Sequence, residues 1–518
     1  MILTAKIEKF APFNKAIVEM WGFLSLGLVL ELWVSIGEIA SQRGYLDAEK
    51  PQNTGQKYIL KICEKYLYKK DAPVILGLET TNRSVDMMNT EKQTGSFMQA
   101  KLSDLAERVS RGMSRPVAKF NRDMLFGICG SGTASVHKIA QNILDGVSTK
   151  KTSERLYRNL GREGLDGQLR EALMDIVCPK LKSDSLIIVD ESDIEKPYAR
   201  KMEGCKLVHN GSKAERTRGY NLLNILACLE NDRGYQLLPV SSDLISTDLE
   251  LDSIKQLIHD RLVDINIKSN GRGLFVFDRG YDDRKTIGFL VENGMRFIIR
   301  GVGKRNIREG TTELNFKQAL KSLDLTWELP GFKLGEKLRC GTRRIGVRTD
   351  DHPSAKANGV EASLVVCRRI KNGRQKGPEF YLICDFADPG LSELEITQRA
   401  VCAYHKRLKI EEVHRQMKQD LQWEKMRLAS YVKLKNLNML MTISLYFVYS
   451  CKDMIYKIAE AFPKIICFRK KDWGKLHQFV YYRLCQVIRI CLKRVTHYNK
   501  SPYRADLTEP WQMKIRLV

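Results

Sequence analysis

Tyr404, Arg407, Glu411 and Lys418 stand three, four and seven residues apart. On a continuous α-helix those steps gather all four within about 60° of arc, because each residue turns the helix by about 100°. A tyrosine, two cations and a carboxylate aligned on one face suit a polyanion held beside a metal ion. The other side of the same predicted helix carries Cys402, Ala403, Ile410, Val413 and Met417 and reads as a buried stripe. A plain solvated face would explain the cations but not their register with Glu411.

Two further carboxylates close short apolar runs. Ser185-Leu-Ile-Ile-Val-Asp190 and Leu274-Phe-Val-Phe-Asp278 both read as buried strands with Asp at the C-terminal end. Taken singly, such an Asp equally serves to end a strand or cap a helix. In open α/β sheets, however, ligands gather where strands end, so Asp190, Asp278 and Glu411 are expected to converge from distant parts of the chain. A few carboxylate oxygens suit hard divalent cations such as Mg²⁺, which keep waters and substrate phosphates as their other ligands. Two such ions about 3.5–4 Å apart can activate an attacking oxygen and stabilise a leaving one in phosphodiester chemistry.

The pattern Tyr404-x₂-Arg407-x₃-Glu411-x₆-Lys418 resembles the Tyr-Arg-Glu-Lys signature of bacterial DDE transposases of the insertion-sequence-four family. Val189-Asp190-Glu-Ser-Asp193-Ile-Glu-Lys-Pro-Tyr198 resembles the segment around that family's first catalytic Asp, and Phe277-Asp278-Arg-Gly-Tyr281 the segment around its second. The likeness covers roughly residues 110–450. It implies an α/β, RNase H-like (retroviral-integrase-type) catalytic core that cuts transposon ends and joins them to target DNA. By the same resemblance, Asp190, Asp278 and Glu411 hold Mg²⁺, with Mn²⁺ as a possible substitute, and Tyr404, Arg407 and Lys418 contact DNA phosphates. Asp193 is the rival for the first position; Asp190 is preferred because it directly ends the apolar run.

The elements that must position these groups follow from local patterns. After the Asp190 strand, Tyr220 to Leu229 and Tyr235 to Val240 read as a hairpin. Thr247-Asp-Leu-Glu250 is a capping box opening a helix through about Val263. The Asp278 strand leads to a helix from about Arg284 to Glu292 and a strand from Arg296 to Arg300, giving a five-strand mixed sheet. Glu411 then arrives about a hundred residues late. The gap holds short β runs at Arg343–Arg348, Ser363–Arg369 and Phe380–Phe386, separated by Asp350-Asp-His-Pro353 and Asn372-Gly373, and predicts a subdomain of its own. Relatives in the family use a tryptophan of such an insertion to stack on a flipped base; Trp327 is the only tryptophan here, and a lone Trp in a β-domain also serves as core. Ser392-Glu-Leu-Glu395 is a second capping box and starts the long catalytic helix. Beyond it, Asn436 to Tyr449 predicts an apolar helix packed on the sheet.

Upstream, Lys119–Ile128, Thr133–Leu144 and Thr152–Leu160 read as three helices, the last carrying Arg155, Tyr157 and Arg158. They suit either a helix-turn-helix reader of the element's ends or an ordinary bundle. The basic loop His209–Arg218 suits DNA backbone or plain solvent. Met20 to Val34 is apolar but short for a membrane span, and the acidic Glu8 and Glu19 before it do not resemble the basic start of a signal peptide. A buried or dimer-forming helix is expected there. Lys464, Arg469, Lys470, Lys471 and Lys475 form a basic cluster near the C-terminus.

The expected organisation is an extension of open role over residues 1–55, a helical DNA-end-binding region over 56–180, and the first part of the core over 181–303. A β-rich insertion over 304–388, the second part of the core with the catalytic helix over 389–450, and a basic helical region over 451–518 complete it. Composition agrees: 86 Lys and Arg against 61 Asp and Glu give a formal charge of +25, which favours polyphosphate partners. Thirteen cysteines without a Cys-x-x-Cys pair read as reduced and packed, as in a cytoplasmic protein, not as a disulfide or zinc framework. The expected partners are transposon terminal inverted repeats and target DNA, with a homodimer on DNA and no membrane. A nuclease that only hydrolyses, and a DNA-binding protein without catalysis, are the alternatives.

Overall fold

The computed structural model describes residues 80–494 except 144, 211–214, 232–233, 247–248, 250–253, 311, 350–359, 387–389, 463–464 and 466–479. The Met20–Val34 stretch, residues 1–55, the Thr247–Glu250 capping box, the Asp350–Pro353 turn, residues 211–214 of the His209–Arg218 loop and the basic cluster from Lys464 to Lys475 lie outside the described residues; the rest of 209–218 is paired strand and not loop, with His209 opposite Arg216.

Five helices come first: α1 (Thr80–Val109), α2 (Arg115–Ser131), α3 (Val136–Gln141), α4 (Thr149–Leu160) and α5 (Leu165–Val177). α2 ends at Gly132, whose φ of 65° gives the left-handed cap that lets its N–H reach the Ile128 carbonyl. A side chain there would meet the Arg489 guanidinium. α3 is shorter than the predicted Thr133–Leu144 because Ala134 leaves helical geometry and donates its N–H to the Leu421 carbonyl. Arg155 of α4 is not a free surface cation. Its guanidinium is spent on the buried Asp123 (2.8 Å) and on Asp145 (3.0 Å), whereas Tyr157 and Arg158 face solvent.

The sheet begins with β1 (Leu186–Glu195), β2 (Lys206–Asn210), β3 (Glu215–Asn231) and β4 (Gly234–Ile245). Next come α6 (Ile254–Lys268), β5 (Leu274–Phe277), α7 (Arg284–Glu292) and β6 (Phe297–Gly301). β1 runs antiparallel to β3 and parallel to β5, and β5 runs parallel to β6. Leu186–Val189 and Leu274–Phe277 are buried throughout, as parallel strands covered on both faces require. Gly273 admits β5 to this position: a Cβ on it would sit 2.5 Å from Ile187 Cδ1.

The segment between β6 and the helix that starts at Glu393 forms β7 (Asn306–Glu309), β8 (Thr312–Asn315), α8 (Phe316–Lys321), β9 (Trp327–Pro330), β10 (Glu336–Val347), β11 (Val360–Lys371), β12 (Arg374–Gln375) and β13 (Phe380–Asp385). These strands do not form a sheet of their own. β13 pairs with β6 (Ile383 opposite Ile299), so one sheet runs β2-β3-β1-β5-β6-β13-β11-β10-β7-β8, with β4 on β3, β9 on β10 and β12 on β11. Cys340 and Cys367 face each other across β10 and β11 with sulfurs 3.4 Å apart, both as buried thiols.

The remaining helices are α9 (Glu393–Arg407), α10 (Ile410–Arg415), α11 (Tyr431–Ser450), α12 (Ile455–Ala461) and α13 (Val480–Arg494). α11 is buried all round from Asn436 to Tyr449 and packs across β4, α5 and α2. Its polar Asn436 is satisfied by the carbonyls of Leu160 and Arg162 (both 2.7 Å) and the N–H of Asp166 (2.8 Å), which ties α11 to the junction of α4 and α5. No helix among the described residues is long and apolar enough to cross a membrane.

Candidate active site

Two parallel strands set the first two carboxylates side by side. The last paired residues of β1 and β5 are Ile188 and Val276, and Asp190 and Asp278 each stand two residues further on. Asp278 directly follows β5, as expected. Asp190 does not end its strand: β1 continues to Glu195, paired only with β3, with Asp190 opposite Asn224 and Asp193 opposite Asn221. The Asp-Glu-Ser-Asp stretch stays extended because β3 still supplies its ladder partners on that side.

Helix α9 brings the next two groups. Its start is fixed by the expected capping box: Ser392 Oγ accepts from the Glu395 N–H, and the Glu395 carboxylate accepts from the Ser392 N–H. Its last turn buries Tyr404 and Arg407 against the strand ends. The Arg407 guanidinium lies 3.4 Å from Asp190 Oδ2, 4.0 Å from Asp278 Oδ2, and 5.3 Å from the centroid of the Tyr404 ring. The Tyr404 hydroxyl donates to Asp278 Oδ1 (3.4 Å) and accepts from Arg300 Nη1 (3.2 Å). Arg300, near the end of β6, is a member of this cluster that the sequence reading missed. Its only signal was its place at the end of the Phe297–Ile299 run, on the strand next to Asp278.

The single predicted helix from Tyr404 to Lys418 is not continuous. α9 stops at Arg407, Leu408 and Lys409 form a turn, α10 follows, and Gln416–Asp420 is a π-helical turn. The backbone stays right-handed through Leu408 and Lys409 but tightens to i→i−3 bonds, so the four signature residues do not lie on one regular α-helix, although Glu411 still acts on Asp190 and Arg407. Tyr404 and Arg407 are buried, whereas Glu411 is exposed and Lys418 half-buried, its ammonium 3.7 Å from Asp193 Oδ2. The predicted buried stripe holds at Ala403, Ile410, Val413 and Met417, but Cys402 is exposed. π-turns inside helices recur at functional sites. Trp327 is half-buried at the start of β9, opposite Cys340 of β10.

The electrostatics tie the cluster together. Burial pushes the Asp190 carboxyl up to about 7; the Arg407 charge opposes this, and the neighbouring Asp278 and Glu411 carboxylates add to it. Burial works against the Arg407 charge, but Asp190, Tyr404, Asp278 and Glu411 outweigh it and raise its pKa. Burial likewise raises the Tyr404 phenol, which stays protonated and able to donate. Among the described residues, no three His, Cys, Asp or Glu side chains are grouped closely enough to hold a metal ion. Arg407 instead lies between the two aspartates. The donor chemistry nevertheless fits a hard divalent cation: the oxygens are carboxylate oxygens, and their mutual repulsion at Asp190 is what a cation relieves.

A profile of the family described as the transposase DDE domain matches residues 182–447. That span runs from just before β1 into α11 and takes in every residue of the cluster. No curated protein matches the chain.

Proposed function

The chain belongs to the family of transposase DDE domains, and from that premise we propose that it cuts the ends of its own mobile element and joins the freed 3′-hydroxyls to target DNA. The signature residues further support the insertion-sequence-four branch, a cut-and-paste reaction, and action on bacterial DNA in the cytoplasm as a homodimer that pairs two ends. The observation that carries this reading is the meeting of Asp190, Asp278 and Arg407 from segments 88 and 129 residues apart, within reach of Glu411.

In this reading Asp190, Asp278 and Glu411 hold Mg²⁺ or Mn²⁺. Such ions supply Lewis acidity at a phosphodiester and an activated water or 3′-hydroxyl. The chain's own residues do the rest. Arg407 keeps two half-buried carboxylates in place, and its guanidinium is the planar donor that suits a phosphate. Tyr404, kept neutral by burial and held by Arg300, offers its hydroxyl proton as a hydrogen-bond donor and not as a nucleophile. Lys418 adds a positive charge on the exposed side of the cluster. Trp327, half-exposed on β9, is the surface assigned to a base drawn out of the duplex. Domain roles follow the same reading: α2–α4 recognise the ends, and β7–β13 flank the site.

The test uses DNA carrying the element's terminal repeats, a target plasmid and Mg²⁺. Glu411→Gln is expected to keep end binding within about threefold and lose at least a thousandfold in cleavage. Mg²⁺-dependent joining by that variant defeats the assignment. A parent chain that cuts ends but yields no joined products is a hydrolytic nuclease instead.

A further inference from the structure

The interruption after Arg407 leaves a physical question. A continuous helix would carry Glu411 and Lys418 as rigidly as it carries Arg407. At Leu408–Lys409 the backbone stays right-handed but tightens to i→i−3 bonds, so α9 passes its direction to α10 less rigidly than an unbroken α-helical ladder would. Something downstream must hold them against β1.

The residue in that place is Lys196, directly after the last residue of β1 and six positions beyond Asp190. It is 4 % exposed. Its ammonium donates to the carbonyls of Trp423 (2.6 Å), Glu424 (2.9 Å) and Met426 (2.8 Å). A lysine has three N–H donors and no acceptor, so all three are used. The same ammonium lies 5.3 Å from the centroid of the Trp423 ring, which is fully buried. Two backbone bonds frame the contact: Lys196 N–H to the Arg218 carbonyl (2.6 Å) and Glu195 N–H to Glu424 Oε1 (3.4 Å).

The turn that Lys196 grips is itself strained. Gln422 takes a left-handed conformation, φ 57° and ψ 36°, which a residue with a Cβ adopts only when its surroundings impose it. It directly follows the π-turn, closed by the Leu421 N–H on the Gln416 carbonyl (2.9 Å). The Glu411–Lys418 segment is thus held beyond its far end by Lys196, just after the Asp190 strand, and along its length by the pair of Lys418 with Asp193 of that strand.

We propose that Lys196 is a positioning residue for the reaction: its three carbonyl bonds register the Glu411–Lys418 segment against the strand bearing Asp190. The inference rests on the transposase reading and adds to it a residue outside the carboxylate and cation set. Its ammonium is buried and fully spent on three carbonyls, so its role is to place the segment and not to hold DNA.

The experiment compares the full-length parent with Lys196→Met and Lys196→Gln on DNA carrying the terminal repeats, reading end affinity and the cleavage rate of pre-bound ends in Mg²⁺ separately. Lys196→Met is expected to bind ends within twofold of the parent and to cleave them at least tenfold more slowly. Lys196→Gln, whose amide can serve two of the three carbonyls, is expected to fall between the two, at least threefold below the parent. A loss shared equally by affinity and rate marks general damage to the fold and overturns the proposal. So does a folded Lys196→Met that cleaves within twofold of the parent. If Lys196→Met does not fold, Lys196→Gln decides, and a rate within twofold of the parent overturns the proposal. A parent that neither cuts nor joins DNA sinks the transposase reading and this inference with it; an active parent matched by active variants sinks only the inference.

Discussion

Arg407 is the residue on which the others depend. It is the cation that offsets two half-buried carboxylates, and Asp190 is already pushed up to about 7 with that cation present. Removing the cation leaves its carboxylate partners uncompensated, and because both reach solvent the cost falls below the buried-pair figure, to about 1–2 kcal/mol. Arg407→Ala is therefore expected to lower the urea unfolding midpoint, to raise the Asp190 pKa further, and to weaken DNA binding with a shallower salt slope. Adding Asp190→Asn to it should recover part of the lost stability. An Arg407→Ala chain as stable as the parent would contradict the geometry. Trp327 supplies a second test at this scale: base stacking is worth about 1–3 kcal/mol, so Trp327→Ala should slow end processing by roughly tenfold while leaving binding of intact duplex unchanged. Equal rates would reduce Trp327 to a packing residue.

The elements divide into those whose signals are local and those set by distant partners. α7 has the predicted bounds, Arg284–Glu292, because Asp283 caps it through the Thr286 N–H. α9 starts where Ser392 and Glu395 said it would. The break after Arg407 carries no glycine or proline, so nothing in Arg407-Leu-Lys-Ile410 announces it. Nor did Asp190 reveal that its strand continues, since the continuation depends on β3, whose Leu223 and Asn224 lie opposite Glu191 and Asp190. Lys196 and Arg300 were invisible as site residues for the same reason: each is defined by what it reaches across the fold. The segment after the break also carries a pH signature. His414 is buried, with Nε2 unpaired, and burial lowers its pKa to about 3, helped by Lys418 and Arg407. The unfolded chain takes up this proton below about 6.5 and the folded chain does not, so stability falls as pH drops from about 6.5 toward 3. The expected slope is up to about 1.4 kcal/mol per pH unit for this one group. Urea midpoints measured across that window should show a shallower fall in His414→Leu; an identical fall would place the buried neutral imidazole in doubt.

At the scale of the whole molecule, charge and continuity matter most. A formal charge of +25 predicts DNA affinity that falls steeply with salt, with a logarithmic slope of roughly −0.9 for each phosphate neutralised. Several such contacts should cost about a hundredfold or more in affinity between 50 and 200 mM salt, measured by anisotropy. A slope near −1 would mean that the excess charge faces away from the nucleic acid. Continuity has a different effect. β6 finds its outer neighbour only in β13, made about eighty residues later, with Ile298 opposite Cys384. A nascent chain halted anywhere between them presents the β5–β6 ribbon with one flank open, and an open flank invites pairing with another chain. Shortened products ending before residue 380 should therefore clump with each other instead of circulating as idle competitors of the intact protein.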